Sequence, residues 1–187
     1  MPRLLVLSTS TRPAAAGRPL AAWVAETART HDGFSVAPAD LAEIDLPLLN
    51  EPQPAATGVY EHQHTRDWSA LVAGADAVLF VLPMYNGSFT APVKNAVDYL
   101  YKEWQGKPVG LLSYSAGPTG GAPAAEALAG VLNRVGTRTA ERRPAVPGIA
   151  GLVADGGFTA PEGLADEVTA LLDELAKLVA QEPVVTD

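Results

Sequence analysis

The run DAVLFVLP at residues 76–83 constrains the fold more than any other part of the chain. It is continuously apolar and rich in Val, Leu and Phe, which is typical of a parallel strand covered on both faces. Residues 3–8 (RLLVLS) and 107–115 (KPVGLLSYS) show a similar pattern. Strands of this kind need helices on both faces of their sheet, so the three runs predict an α/β fold.

Segments with helical periodicity alternate with these strands. In residues 18–30, Leu20, Val24 and Ala28 lie on one face of a predicted helix. Further helices are predicted from about 65, from about 92 to 100, at 124–136 and at 160–181, with a weaker, Pro-containing strand at 34–41 and a short last strand within 137–153. Short connections favour right-handed crossovers. We therefore predict one domain over residues 1–187, a flavodoxin-like three-layer sandwich whose five-stranded parallel sheet has the order 2-1-3-4-5.

Composition excludes several classes of function. The 187 residues include no cysteine and only 3 histidines, which excludes disulfides, Fe–S clusters and thiol catalysis and argues against a metal site. Redox chemistry would therefore need an organic cofactor. The formal net charge of -8 argues against nucleic acid as a partner. No apolar run is long enough for a membrane span and no signal peptide is evident, so we expect a cytoplasmic protein.

In an open parallel sheet, ligands bind beyond the carboxyl ends of the strands at the topological switch point. The loop after the first strand, TSTRPAAAGR, offers hydroxyl groups, the Arg12 cation and the start of a helix near Gly17 and Arg18. Free N–H groups at a helix N-terminus bind anions such as phosphate. The loop matches neither phosphate-binding motif, G-x-x-x-x-G-K-[ST] or G-x-G-x-x-G. An ordinary Ser/Thr-rich connection with a solvated arginine is the alternative.

Two further loops follow the third and fourth predicted strands, which are neighbours in the order 2-1-3-4-5. The first of these loops contains Pro83, Met84, Tyr85, Asn86 and Gly87. Tyr85 supplies a flat aromatic ring, and Gly87 permits close approach of the backbone to a ligand. The loop SAGPTGG at residues 115–121 is small and rich in N–H groups. Either loop alone is also compatible with a plain turn before a helix. Together with an anion-binding loop, they favour a site for a phosphorylated ligand with a large planar ring.

The segments STRPAAAG (residues 10–17), PMYNGSFTAPVKNAVDYL (83–100) and SAGPTGG (115–121) resemble the three signature loops of the NADPH-dependent FMN reductase family. This resemblance covers about residues 3–135 and implies an enzyme that passes a hydride from NADPH or NADH through bound FMN to a quinone, an azo compound or a free flavin. It also implies a homodimer or homotetramer. The FMN phosphate would be held by Ser10, Arg12 and the backbone near Gly17 and Arg18. The ring would be lined by Pro83, Met84, Tyr85, Asn86 and Gly87 and bordered by Ser115, Ala116, Gly117 and Gly120.

The chain departs from the family pattern in three places. Thr9 stands where relatives usually have Gly, and Met84 where they often have Glu. Residues 137–158 match no familiar pattern, so nothing is carried over to them. We expect no metal at His62 and His64, and we expect Arg142 and Arg143 to be solvated rather than bound to NADPH phosphate. Trp104 is compatible with either a dimer contact or the core.

Two other functions remain compatible with the sequence. A flavodoxin-like electron carrier would bind the same cofactor without catalysis, and its acidic charge would be similar. A regulatory domain would bind a different phosphorylated ligand. The enzyme hypothesis requires Arg12, Tyr85 and Gly117 to lie on the same edge of the sheet.

Overall fold

The computed structural model describes residues 1–181. The strands are β1 (Arg3–Ser8), β2 (Ser35–Asp40), β3 (Ala77–Pro83), β4 (Pro108–Tyr114), β5 (Arg138–Thr139), β6 (Ala145–Val146), β7 (Val153–Ala154) and β8 (Gly157–Phe158). The helices are α1 (Gly17–Arg29), α2 (Leu41–Ile44), α3 (Gln63–Ala73), α4 (Ala91–Asp98), α5 (Ala122–Arg134) and α6 (Leu164–Ala180). None of these helices has the combined length and apolarity that a bilayer crossing requires.

The main sheet is parallel and has the order β2-β1-β3-β4-β5, which confirms the predicted flavodoxin-like topology. Its fifth position is split, because β5 pairs with the start of β4 while β6 pairs with its end. The two short strands lie on either side of residues 140–144. The prediction of a short last strand within 137–153 thus corresponds to two strands, and residues 153–158 form a separate antiparallel hairpin.

The core consists of two apolar layers, one on each face of the sheet. Alternate residues of β3 enter different layers: Val78 and Phe80 pack with α3, α4 and α5, whereas Leu79 and Val81 pack with α1 and α6. Every residue of β3 and β4 is buried, which explains why both runs are continuously apolar. At the edge of the sheet, β2 is only partly buried and contains Pro38, as an edge strand permits.

Several predicted boundaries shift by a few residues. The last helix begins at Leu164 rather than at residue 160, because Gly163 has a φ of 82° and cannot continue a helix in the N-terminal direction. Helix α4 ends at Asp98 rather than at Leu100. Trp104 belongs to the core: it is fully buried, and its indole Nε1 donates to the carbonyl of Val97 at 3.1 Å.

Candidate active site

Three loops meet at the carboxyl edge of the sheet. Strands β1, β3 and β4 are neighbours and end at Ser8, Pro83 and Tyr114, so the loops that leave them lie side by side. A cavity of about 260 Å³ opens there. Its lining comes from all three loops and from one later segment: Ser10, Arg12, Ala14, Ala15, Ala16, Pro83, Met84, Tyr85, Tyr114, Ser115, Ala116, Ile149 and Ala150.

The first loop is anchored to the sheet by Thr9. Both its backbone N–H and its hydroxyl donate to the carbonyl of Val81, each at 3.1 Å. The Thr9 side chain is thus directed to β3 and fully buried. The hydroxyl therefore serves as an anchor that a glycine at this position would lack, and Ser10, which is 3% exposed, is fixed beside the cavity.

Arg12 lies directly against Tyr85 of the second loop. Its Nη1 donates to the Tyr85 hydroxyl at 3.1 Å, and its Cζ lies 6.0 Å from the centre of the Tyr85 ring. The hydrogen bond raises the pKa of Arg12 above its ordinary value, so the guanidinium is a permanent cation. A second cavity, of about 430 Å³, shares Ser10, Arg12 and Tyr85 with the first. The Arg12–Tyr85 pair therefore lies where the two cavities adjoin.

The second loop is a tight reversal with an aromatic residue at its base. The Tyr85 N–H donates to the Ser88 carbonyl at 2.9 Å, and the Ser88 N–H donates back at 3.0 Å. Between them, Asn86 and Gly87 have φ values of 52° and 80°, as in a type I′ turn. The turn both reverses the chain and faces the site, because Tyr85 lines both cavities and Asn86 lines the second.

The third loop contains two kinds of glycine. A methyl group on Gly117 would meet only the Ser115 hydroxyl, at 3.9 Å, so there is free space beside this residue. At Gly120, with a φ of 59°, a methyl group would lie 2.8 Å from backbone atoms of Ala145 and Val146. Gly120 therefore permits close packing against β6, whereas the backbone near Gly117 borders open space.

Gly17 and Arg18 directly follow Ala16, the last residue of the first loop that lines the first cavity. Arg18 donates through Nε to Asp40 at 2.7 Å and through Nη1 to the Pro13 carbonyl at 2.8 Å. The backbone N–H of Arg18 donates to the Ala15 carbonyl at 3.3 Å. The Arg18 side chain lines a different cavity, between α1 and β2. A phosphate contact from Arg18 remains a prediction, and it would require these contacts to rearrange.

Comparison with known proteins identifies the family. The family model described as NADPH-dependent FMN reductase matches residues 2–151. The chain belongs to this family. It is 37% identical over 147 residues to an NAD(P)H-dependent FMN reductase of Schizosaccharomyces pombe, a match that covers 78% of this chain and 72% of the relative. The family places the protein among the oxidoreductases that use FMN and NAD(P)H.

Two further matches broaden this result. A quinone reductase of Pseudomonas putida is 40% identical over 82 residues, which is 41% of this chain and 42% of the relative. The structure of FerB, a flavoenzyme NAD(P)H:(acceptor) oxidoreductase from Paracoccus denitrificans, superposes with a TM-score of 0.76 over 96% of this chain and 98% of that chain. Its sequence identity is 23%, so this second match shows the fold alone.

Part of the cavity wall in this FMN reductase family member comes from residues that the sequence does not single out as site residues. Tyr114 lies in the strand predicted at residues 107–115, and Ile149 and Ala150 lie within residues 137–158, which match no familiar pattern. Two backbone hydrogen bonds connect this later segment to the third loop. The Ser115 N–H donates to the Val146 carbonyl at 3.2 Å, and the Ile149 N–H donates to the Ser115 carbonyl at 3.1 Å. These bonds bring the later segment to the site. The residue types in that segment do not predict this contact.

The other polar groups noted in the sequence lie elsewhere. His62 and His64 stack with ring centres 5.1 Å apart, and their Nε2 atoms lie 3.1 Å from oxygens of Asn50. No group of three potential metal ligands occurs within residues 1–181. Arg143 forms an ion pair with Glu126, and Arg142 is exposed. An NADPH contact of either arginine has no support in these positions.

Proposed function

We propose that this protein is an FMN-dependent NAD(P)H oxidoreductase that passes a hydride from NAD(P)H through bound FMN to a quinone, an azo compound or a free flavin. One observation carries the proposal. The three loops that resemble the family's signature loops line one cavity at the carboxyl edge of the sheet, where the fold places its ligand site.

The phosphate end of FMN fits the first loop. Neither of the two adjoining cavities is lined by an aspartate or glutamate of the described chain, although the protein carries a net charge of -8. Arg12 is the cation of this region, and Ser10 and the residues at the start of α1 supply neutral donors. The site is therefore locally suited to an anion within an acidic molecule. We propose that Ser10, Arg12 and the backbone at Gly17 and Arg18 hold the phosphate.

The ring of FMN fits the second and third loops. Met84, Tyr85 and Ala116 supply flat or apolar surfaces, and Gly117 leaves free space for a ligand edge. We propose that residues 83–87 and 115–117 hold the ring, with Gly120 acting through its packing against β6. The chemistry that FMN supplies when bound is two-electron transfer from NAD(P)H to the acceptor. The protein's contribution is then to position the cofactor and to direct backbone N–H groups to its polar edge.

The cavity geometry also leaves access for a second substrate. Tyr85 is 39% exposed, and the larger cavity extends from it to Phe89 and the start of α4. Met84 brings no charge to a position where relatives often have Glu. An uncharged surface at this point favours flat, apolar acceptors such as quinones.

Absorption spectroscopy and a turnover assay test the proposed function together. Purified protein should be yellow, or should become so when titrated with FMN, and it should oxidise NADPH continuously when a quinone is supplied. Mass spectrometry of the extracted ligand identifies it independently. Protein that stays flavin-free after titration contradicts the proposal. Protein that binds FMN but does not turn over NADPH with any acceptor class supports the electron carrier instead.

We further propose that the protein acts as a homodimer or homotetramer in the cytoplasm. Large apolar side chains are exposed next to the site region, among them Leu48 at 82% and Leu49 at 48%. Leu48 lines a cavity that also includes Thr11, Ala91 and Pro92, which border the larger site cavity. Light scattering of the purified protein gives the oligomeric state, and a monomer at micromolar concentration would contradict this part of the proposal.

A further inference from the structure

Tyr114 is a buried tyrosine that connects the end of β4 to the start of α1. It ends β4 and is 5% exposed. Its hydroxyl lies against Gly17 in the first turn of α1. A methyl group on Gly17 would overlap this hydroxyl and lie 2.7 Å from the ring atom Cζ. The Tyr114 ring therefore packs directly against the first turn of α1.

The Tyr114 hydroxyl lies at the wall of the first cavity, near the predicted anion-binding loop. Tyr114 lines the first cavity together with Ser10, Arg12 and the three alanines that precede α1. A helix start already presents unpaired N–H donors and a partial positive charge. A phenylalanine ring would fill the same volume without adding another donor to this region. The Ser10 side chain is hydrogen-bonded to this hydroxyl, and the two groups line the cavity together beside the Arg12 cation. This cluster of donors and positive charge is suited to an acceptor-rich ligand.

The hydroxyl has the protonation state that such a contact requires. Burial raises the pKa of Tyr114 to about 12, an effect that its hydrogen bond with the Ser10 side chain partly opposes. At neutral pH the group is therefore a neutral donor. A neutral donor adds no charge to the site, but it can form a strong hydrogen bond to a phosphate oxygen.

We propose that the Tyr114 hydroxyl donates a hydrogen bond to the phosphate group of the flavin and thereby favours FMN over unphosphorylated riboflavin. This inference rests on the proposed function, because it requires flavin in the first cavity. It assigns a role to a residue of β4 that lies outside the three signature loops.

Dissociation constants of FMN and riboflavin for flavin-stripped protein test this proposal. Tyr114→Phe should weaken FMN binding about 10-fold or more, because a hydrogen bond to a charged group is lost, and should change riboflavin binding less than about 2-fold. Tyr101→Phe removes a hydroxyl from a partly exposed ring outside the cavity and should change neither constant. Circular dichroism of both variants verifies that the fold is retained.

The possible outcomes separate the two proposals. Equal losses for FMN and riboflavin, or no loss for either, would overturn the role of Tyr114 while leaving the proposed function intact. Equal affinity of the unaltered protein for the two flavins would overturn it too, even if the variant fails to fold. If the unaltered protein binds neither flavin, the proposed function fails and the role of Tyr114 fails with it.

Discussion

At the scale of single residues, one arginine dominates the electrostatics of the site. Arg12 donates to Tyr85 at 3.1 Å and is exposed, so it can exchange this neutral acceptor for a phosphate oxygen without leaving the cavity. Arg18, six positions later, is already paired with Asp40. The two arginines of the first loop region therefore differ in function: we infer that Arg12 is available to a ligand and that Arg18 fastens α1 to β2.

Replacing Arg12 tests this division. Arg12→Ala should raise the FMN dissociation constant about 10-fold to 100-fold, since it removes a charged hydrogen-bond donor, and the salt dependence of binding should become weaker. Isothermal titration at two ionic strengths measures both effects. Arg134→Ala removes the same charge from the end of α5, outside both cavities, and should leave binding unchanged. Similar losses in the two variants would mean that Arg12 acts only through net charge.

At the scale of secondary structure elements, the start of α1 is fixed by its packing against β4. Gly17 is the first residue of α1 and has no room for a side chain, because the Tyr114 ring covers it. Gly130 in α5 is the opposite case, because it is exposed and a methyl group there would meet nothing within 4 Å. A side chain is thus sterically excluded at Gly17 but not at Gly130.

Alanine substitutions at the two glycines should change stability in opposite directions. Gly17→Ala should lower the free energy of unfolding by about 1–3 kcal/mol, because Tyr114 must move. Gly130→Ala should raise it by up to about 1 kcal/mol, since alanine favours a helix. Urea unfolding followed by circular dichroism measures both changes. A stabilised Gly17→Ala variant would show that the contact with Tyr114 is loose.

At the scale of the whole molecule, the long connection between α2 and α3 is closed by one carboxylate. Glu51 accepts hydrogen bonds from the N–H groups of Glu61 at 2.8 Å and His62 at 3.1 Å. The connection is also tied to α4, because Asn95 donates to the Pro47 carbonyl at 2.7 Å. Burial of Glu51 acts to raise its pKa, but the hydrogen bonds outweigh this effect and the pKa is lowered.

The lowered pKa of Glu51 predicts a loss of stability in acid. A carboxyl group whose pKa is depressed on folding stabilises the fold above its unfolded pKa, and this contribution disappears as the pH falls through the folded pKa. Glu51→Gln should therefore lower the melting temperature at neutral pH by no more than about 2 °C, because solvent screens a carboxylate that is only partly buried. The difference from the unaltered protein should shrink below about pH 4.5.

Thermal unfolding from neutral pH to about pH 3 measures this prediction. Glu61→Gln is the matched control, because Glu61 contributes its backbone N–H to the contact and its residue is exposed. It should change the melting temperature little at any pH. A Glu51→Gln difference that stays constant across the range would indicate that the carboxylate charge has no part in closing the connection.

Much of the fold could be predicted because the decisive signals are local. The apolar runs of β1, β3 and β4 are long enough to identify buried parallel strands, and their alternation with helices leaves few topologies. The division of the last strand position was not predictable in the same way. Two residues of β5 and two of β6 carry no periodicity, and their pairing depends on the neighbouring β4.

The sequence by itself determined the fold class, the family and the three loops of the site, because each of these depends on residue types at fixed spacing along the chain. The tertiary structure alone decided that Arg12 meets Tyr85, that Arg18 pairs with Asp40, and that Tyr114 lies against Gly17. The residues of each pair are separated by 22 to 97 positions in the sequence. Such contacts follow from the order of strands in the sheet and from the direction of side chains, which no local pattern encodes.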